Sequence, residues 1–322
     1  MTFSQILGHD RQKDILRRAL AHGRLAHAYL FEGPEGVGKR LMAIALTRAL
    51  FCVEKTGCGS CPACRKIDHH NHPDLHILEA EGQTIKIEQV RALQKELAFR
   101  PLEGPRKVCL IDGAERMNAA AGNALLKTLE EPSGDALLIL LSSRPESILS
   151  TIRSRCQRLP FTRLPQARLK EVLLERMALD ATEGHILAAL SEGSFKKALG
   201  KDRDLYLEKR RELLKSLTTL APGRVLPLFE LAQTLSEEKD RIFDILDIFQ
   251  AFYRDLLLHR QGRPEEELVN IDLAEKIRRV AARESLPSLL VKLDAIESAR
   301  RHLERNVNRQ LALEVLLMRL AA

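Results

Sequence analysis

The chain contains no tryptophan, and aromatic residues fill only 4% of its 322 positions. A platform that stacks successive bases of a single strand is therefore not expected, because such platforms are built from aromatic faces. Long apolar runs are missing too. None is longer than the six residues from Ala136 to Leu141, far too short to cross a bilayer, so no membrane association is expected. The first residues, MTFSQILGHD, lack a basic stretch followed by an apolar one, which argues against a secretory leader and for a cytoplasmic location. Neither a short-period repeat nor a low-complexity segment is visible. What remains is ordinary globular material, 45% hydrophobic and 30% charged, long enough for two or three domains. The net charge of +7 suits a polyanionic partner met through backbone phosphates, without requiring one.

The first half alternates strand and helix signals. Ala28-Tyr-Leu-Phe feeds a glycine-rich stretch, and Leu41 to Leu50 then runs without Gly or Pro, as a helix would. Asp74 to Leu78 alternates like a strand, and Val90 to Phe99 has helical spacing up to Pro101. Val108 to Ile111 and Ala136 to Leu141 read as buried strands. Strands separated by helix-length segments predict a parallel sheet covered on both faces. Past Pro160 the strand signal fades. Leu164 to Leu199 can hold short helices punctuated by Gly184 and Gly193, and the Leu-rich remainder reads as helical, broken near Gly223 and Pro264. The expectation is an α/β domain over 1–162, a small helical domain over 163–204 and a larger all-α domain over 205–322.

Four of the six cysteines, Cys52, Cys58, Cys61 and Cys64, fall in the stretch CVEKTGCGSCPAC. Interlocking CxxC spacings let turns aim thiolates at one centre, with Cys52 closing a tetrahedral set, and zinc is the expected ion. Reduced thiols or a redox pair are the alternatives. A closed thiolate set leaves no open coordination position, so such an ion would fold the loop at about 52–64 and catalyse nothing.

The segment GPEGVGKR, Gly33 to Arg40, follows the phosphate-loop pattern GxxxxGK[ST] through Gly33, Gly38 and Lys39, with Gly36 inside it. Arg40 then stands where a hydroxyl should hold Mg²⁺. Asp112, ending KVCLID, occupies the place of the carboxylate that shares that ion. The next residue is Gly113, and the nearest following acid is Glu115. Hydrolysing enzymes need a carboxylate that orients water, so the pattern predicts a nucleotide-type fold with impaired chemistry.

Several stretches carry a closer likeness: GHDRQKDILRRALAHGRLAHAYLFEGPEGVGK, NALLKTLEEP, STIRSRCQ and NVNRQLALEVLL, together with the four cysteines ahead of HPDL. With them the chain resembles the delta-prime subunits of bacterial DNA polymerase III clamp loaders, an AAA+ family related to gamma/tau. The resemblance covers nearly the whole length and is densest before Phe161. It implies an AAA+ P-loop domain, a small helical lid and a helical collar. It implies partnership with gamma/tau and delta subunits in a pentameric ring that opens the sliding clamp onto primed DNA. Such subunits commonly have degraded ATP sites and act as a stationary partner, so ATP/Mg²⁺ binding here is expected to be weak or absent. Arg155 in Ser154-Arg155-Cys156 then corresponds to an arginine finger offered to a neighbour's γ-phosphate. Composition alone would not single it out, because eight basic residues lie between Arg144 and Arg176. Ser142 falls near the sensor position, and Lys196 stands where hydrolysing relatives place a lid arginine, without its planar fork.

Two other classes compete. An active gamma/tau-like ATPase or helicase loader would need a hydroxyl at position 40 and Glu at 113. A zinc-containing transcription factor would need a recognition helix beside the cysteines, and none is evident.

Overall fold

All seven residues of the strand Ala136–Ser142 are buried, so both of its faces must be covered. The computed structural model shows how. It describes residues 2–131, 135–177, 179–194, 197–198, 203–221, 223–305 and 307–322, and the chain divides into two units, Met1–Leu164 and Pro165–Ala322.

The first unit holds strands β1 (Ala28–Glu32), β2 (Leu75–Leu78), β3 (Lys107–Asp112), β4 (Ala136–Ser142) and β5 (Gln157–Pro160). They form one sheet in the order β2-β3-β4-β1-β5, and every pairing is parallel. Alternation sorts the side chains into two layers. Tyr29, Phe31, Val108, Leu110, Leu137 and Ile139 pack with Leu16 of α1 (Asp10–Ala21) and Met42 and Leu46 of α2 (Lys39–Phe51). Leu30, Cys109, Ile111, Leu138 and Leu140 face the other way, onto Val90 and Leu93 of α4 (Ile87–Leu97) and Leu125 and Leu129 of α5 (Ala119–Glu130). The short helices α3 (Pro62–Asp68) and α6 (Ser150–Arg153) complete the unit. This is the α/β fold the alternation implies. The edge strand β5 was not read from sequence, since only Leu159 of its four residues is buried.

The second unit is helical throughout its described elements. Helices α7 (Gln166–Met177) and α8 (Ala181–Leu190) are followed by a π-helical turn, Leu205–Lys209. Then come α9 (Arg210–Thr219), α10 (Val225–Glu237), α11 (Ile242–Arg260), α12 (Ala274–Ala281), α13 (Leu286–Glu304) and α14 (Arg309–Ala321). Asp180 caps α8 by accepting the Glu183 N–H at 2.7 Å, supplying one of the donors a helix start leaves unpaired. Buried apolar residues from Leu169 to Leu320 form one connected core. Inside this unit Arg210 is fully buried, donating from Nε to the Tyr206 carbonyl at 2.8 Å and from Nη2 to Asp272 at 2.7 Å. Its Nη1 donates to Asn270, whose backbone and side-chain N–H groups donate to buried Asp255 at 2.8 and 2.6 Å. A buried cation and a buried carboxylate are tolerated here because each is hydrogen-bonded. Among the described residues no helix is long and apolar enough to cross a membrane.

Asp74, fully buried ahead of β2, accepts backbone N–H groups from Leu102 and Glu103 at 2.8 Å and from Gly104 at 2.7 Å. Burial alone would raise its pKa, but those three donors outweigh it and hold the carboxyl below its ordinary value. The bonds fix the approach to β3. Replacing Asp74 by Ala strands three donors and should cost about 3 kcal/mol, read as a lowered denaturant midpoint for the first unit. A loss under about 0.5 kcal/mol would show that water replaces the carboxylate at no cost.

Candidate nucleotide and metal sites

The glycine-rich loop leaves the C-terminal end of β1 and runs into α2. Gly33, Gly36 and Gly38 have φ of 148°, 77° and 106°, values that side chains with a Cβ resist. At Gly33 the space is also taken, since a Cβ there would collide with the Phe161 carbonyl. The Gly33 N–H donates to the Ser142 carbonyl at 3.1 Å, tying the loop to β4. Lys39 is 8% exposed, and its Nζ donates to the carbonyls of Gly33 and, at 2.7 Å, Pro34. Burial lowers its pKa, opposed by the charges of Glu115, Asp112 and Glu35.

Arg40, the second residue of α2, reaches across the mouth of the site. Its Nη1 donates to Asp112 Oδ2 at 2.9 Å and to Glu79 Oε1. Burial works against its charge, yet the bonds and charges of Glu79 and Asp112 prevail and raise its pKa. A divalent ion would need those carboxylate oxygens for itself. The guanidinium has taken them, so the residues present do not fit Mg²⁺ in the position that the loop and Asp112 define.

The other residues expected of a phosphate site lie close by. Lys39, Asp112, Glu115, Ser142 and Ser143 line one open cleft of about 250 Å³ with Arg40. Ser142 ends β4, buried, and its Oγ accepts the Arg144 N–H at 3.2 Å. Gly113 turns left-handed at φ 73° as the chain leaves β3, and a Cβ there would press on Arg116 Cδ at 3.3 Å. A glutamate at 113 would therefore be strained. Glu115 faces the same cleft, held by the Ser143 N–H at 3.2 Å and the Ser143 hydroxyl at 2.5 Å. Its Oε2 is buried without a hydrogen-bond partner. Lys196 lies outside the described residues.

Arg155 is not part of this cleft. It sits between α6 and β5, with Nη2 2.6 Å from Glu130 Oε1 and Nη1 donating to the Thr151 carbonyl at 3.0 Å. Because β5 is parallel to β1 with Gln157 beside Tyr29, Arg155 is level with the start of β1, whereas the loop begins at its end. Along the strands that separation is roughly 20 Å.

The thiols of Cys52, Cys58, Cys61 and Cys64 converge, their sulfurs all within 4.8 Å of one another. Left-handed residues Lys55, Gly57 and Gly59 fold the loop back so that backbone donors meet sulfur. The Cys58 N–H donates to Cys52 Sγ at 3.4 Å, and the Cys61 N–H to Cys58 Sγ at 3.4 Å. Burial alone would raise the Cys52 pKa, but the donors outweigh it and bring it to about 6. Cys64, fully buried, is pushed up to about 12, with burial the main cause. Arg48 lies beneath the loop, since a Cβ at Gly59 would sit 3.1 Å from its Nη2. That nitrogen donates to Asp68 at 2.9 Å, while Nε and Nη1 are buried without partners. Four converging sulfurs above an incompletely paired buried cation fit a metal ion held by thiolates, whose complex would be anionic.

Sequence reading missed three contributors. Glu79 becomes visible only through register: Leu78 pairs with Ile111, which puts the following residue beside Asp112. Glu130 is far from Arg155 in the chain, and only the fold joins them. His9, inside the quoted GHD stretch, meets the Val37 carbonyl of the glycine-rich loop through Nε2 at 2.8 Å and packs against the Phe161 ring at a tilt of 57°.

Fold and sites together define a P-loop domain of the AAA+ type joined to a helical region. The family model for "DNA polymerase III, delta subunit" matches residues 8–165, and that for "DNA polymerase III, delta subunit, C terminal" matches 205–322. Among relatives, "DNA polymerase III subunit delta'" of Bacillus subtilis is 33% identical over 315 residues, covering 96% of this chain and 95% of the relative. The Pseudomonas aeruginosa protein of the same name is 34% identical over 310 residues, covering 92% of each. "DNA polymerase III subunit tau" of Salmonella typhimurium is 29% identical over 320 residues, covering 95% of this chain and 48% of the longer tau. The chain belongs to the DNA polymerase III delta-prime subunit family.

His9 gives the loop a pH dependence. Burial lowers its pKa from 6.5, helped by Lys13 and opposed by the bond to Val37 and by Asp10. The unfolded chain therefore takes up the proton first as pH falls, and the His9 contribution, complete above about 6.5, is lost below it. His72 and His76 shift the same way, so the wild type should lose stability between pH 7.5 and 5.5, and His9→Gln should lose less. Equal losses in the two proteins would remove His9 from the account.

Proposed function

We propose that this chain is a non-hydrolysing clamp-loader subunit, a stator that lends Arg155 to an ATP site on a neighbouring gamma/tau subunit. Membership of the delta-prime family and similarity to tau support it. The observation that carries the reading is the roughly 20 Å between Arg155 and the chain's own loop, at opposite ends of the sheet. An arginine so placed cannot reach a phosphate on its own loop, so any γ-phosphate it meets belongs to another chain. Its own nucleotide binding, through the loop amides, Lys39 and Ser142, is weak or absent, and hydrolysis fails because Arg40 holds Asp112 and position 113 carries no carboxylate. The same facts count against an active gamma/tau-like ATPase. Residues 163–204 serve as the lid and 205–322 as the collar that packs the chain with gamma/tau and delta in a pentameric ring. That assembly loads the sliding clamp on primed DNA in the cytoplasm as part of the polymerase III holoenzyme, with this chain contributing no polymerase activity.

The cysteine cluster holds a structural zinc. Metal analysis of reduced, purified protein should give one zinc per chain, and Cys52→Ser should release it and loosen the loop without touching ATP turnover in the assembly. Folded protein that retains all four cysteines yet carries no metal would count against the assignment.

The stator reading is tested in a reconstituted loader. Arg155→Ala should leave the subunit folded, because an ion pair with 37% and 50% exposed side chains contributes at most about 1 kcal/mol. Single-turnover hydrolysis at the one shared site should slow by on the order of 10³. Arg155→Lys should recover little, since a point charge lacks the planar fork. Wild-type rates with Arg155→Ala would reduce the residue to its contact with Glu130.

A further inference from the structure

Arg40 does more than lack a hydroxyl. It is the second residue of α2, directly after Lys39, so two cations stand at the positive end of a helix dipole, where charge of that sign is disfavoured. What compensates Arg40 is the pair Glu79 and Asp112, both bonded by the same Nη1. Those carboxylates close neighbouring parallel strands, side by side at the end of the sheet where the glycine-rich loop begins. Oxygen ligands at that place suit a hard divalent ion, which needs their lone pairs directly.

We propose that the Arg40 guanidinium is a built-in replacement for the divalent cation. It pairs permanently with both Glu79 and Asp112, keeps metal out, and leaves the loop able to take a polyphosphate only in its metal-free form. The statement about polyphosphate rests on the reading of the loop as a phosphate site. The statement about metal does not.

The full chain, zinc-loaded and in Mg²⁺-free buffer, is titrated with Mn²⁺ and followed by electron paramagnetic resonance. The wild type should show no site, and Arg40→Ser should gain one, bound at least about tenfold more tightly, as expected from removing a unit charge some 4 Å from a divalent ion in a watery cleft. Adding Asp112→Asn should abolish the gain. Unchanged zinc content and melting curves certify the fold of each variant. A wild type that binds Mn²⁺ as tightly as Arg40→Ser, or an Arg40→Ser that gains nothing, overturns the proposal. Inorganic pyrophosphate is then titrated calorimetrically, with EDTA or with Mg²⁺. Wild-type affinity should be the same in both, whereas that of Arg40→Ser should rise with Mg²⁺. Wild-type affinity that rises with Mg²⁺ also overturns it. Absence of pyrophosphate binding to the wild type would end the polyphosphate half, and the Mn²⁺ titration still decides the metal half.

Discussion

The five strands of the first unit run in one direction, and the placement of its chemistry descends from that. A parallel sheet puts every strand's C-terminal end on one rim and every N-terminal end on the other, and ligands of such sheets gather at the first. Gly33, Asp112 and Ser142 meet there because they end or follow β1, β3 and β4. Arg155 precedes β5, and Glu130, which holds it, closes the helix leading toward β4. Both are thereby assigned to the opposite rim. The direction of the strands, and no feature of the arginine itself, separates this residue from the chain's own glycine-rich loop.

How much of this was legible in the sequence follows from how far apart the cooperating residues are. The glycine-rich loop and the cysteine cluster are local patterns, and their residues do converge. Strand β4 could be read because the six successive apolar residues Ala136 to Leu141 leave no polar face. Strand β5 could not, because an edge strand with one buried residue has almost no hydrophobic signal. Glu79 and Glu130 act through register and helix ends, which a linear pattern does not encode. Position 113 shows a subtler limit. Its missing carboxylate was evident, but the left-handed backbone that would strain any replacement was not. Arg40 was read as a loss, while its hydrogen bonds make it a substitution of one cation for another.

Helix α2 joins the two sites and sets their electrostatics. Its 13 residues span about 20 Å, with Lys39 and Arg40 at the start and Cys52 as the C-terminal cap. The dipole of a helix favours anions at its start and cations at its end. Here the order is reversed, cations first and a thiol of lowered pKa last. Each reversal is answered by a group of opposite sign. Asp112 and Glu79 answer at the first end. Arg48, 2% exposed in the last turn, answers at the second, beneath the cysteine loop. Removing either answering group would leave like charge facing the helix terminus. The two arginines of α2 therefore have opposite roles at its ends, Arg40 as the charge that carboxylates compensate and Arg48 as the charge that compensates.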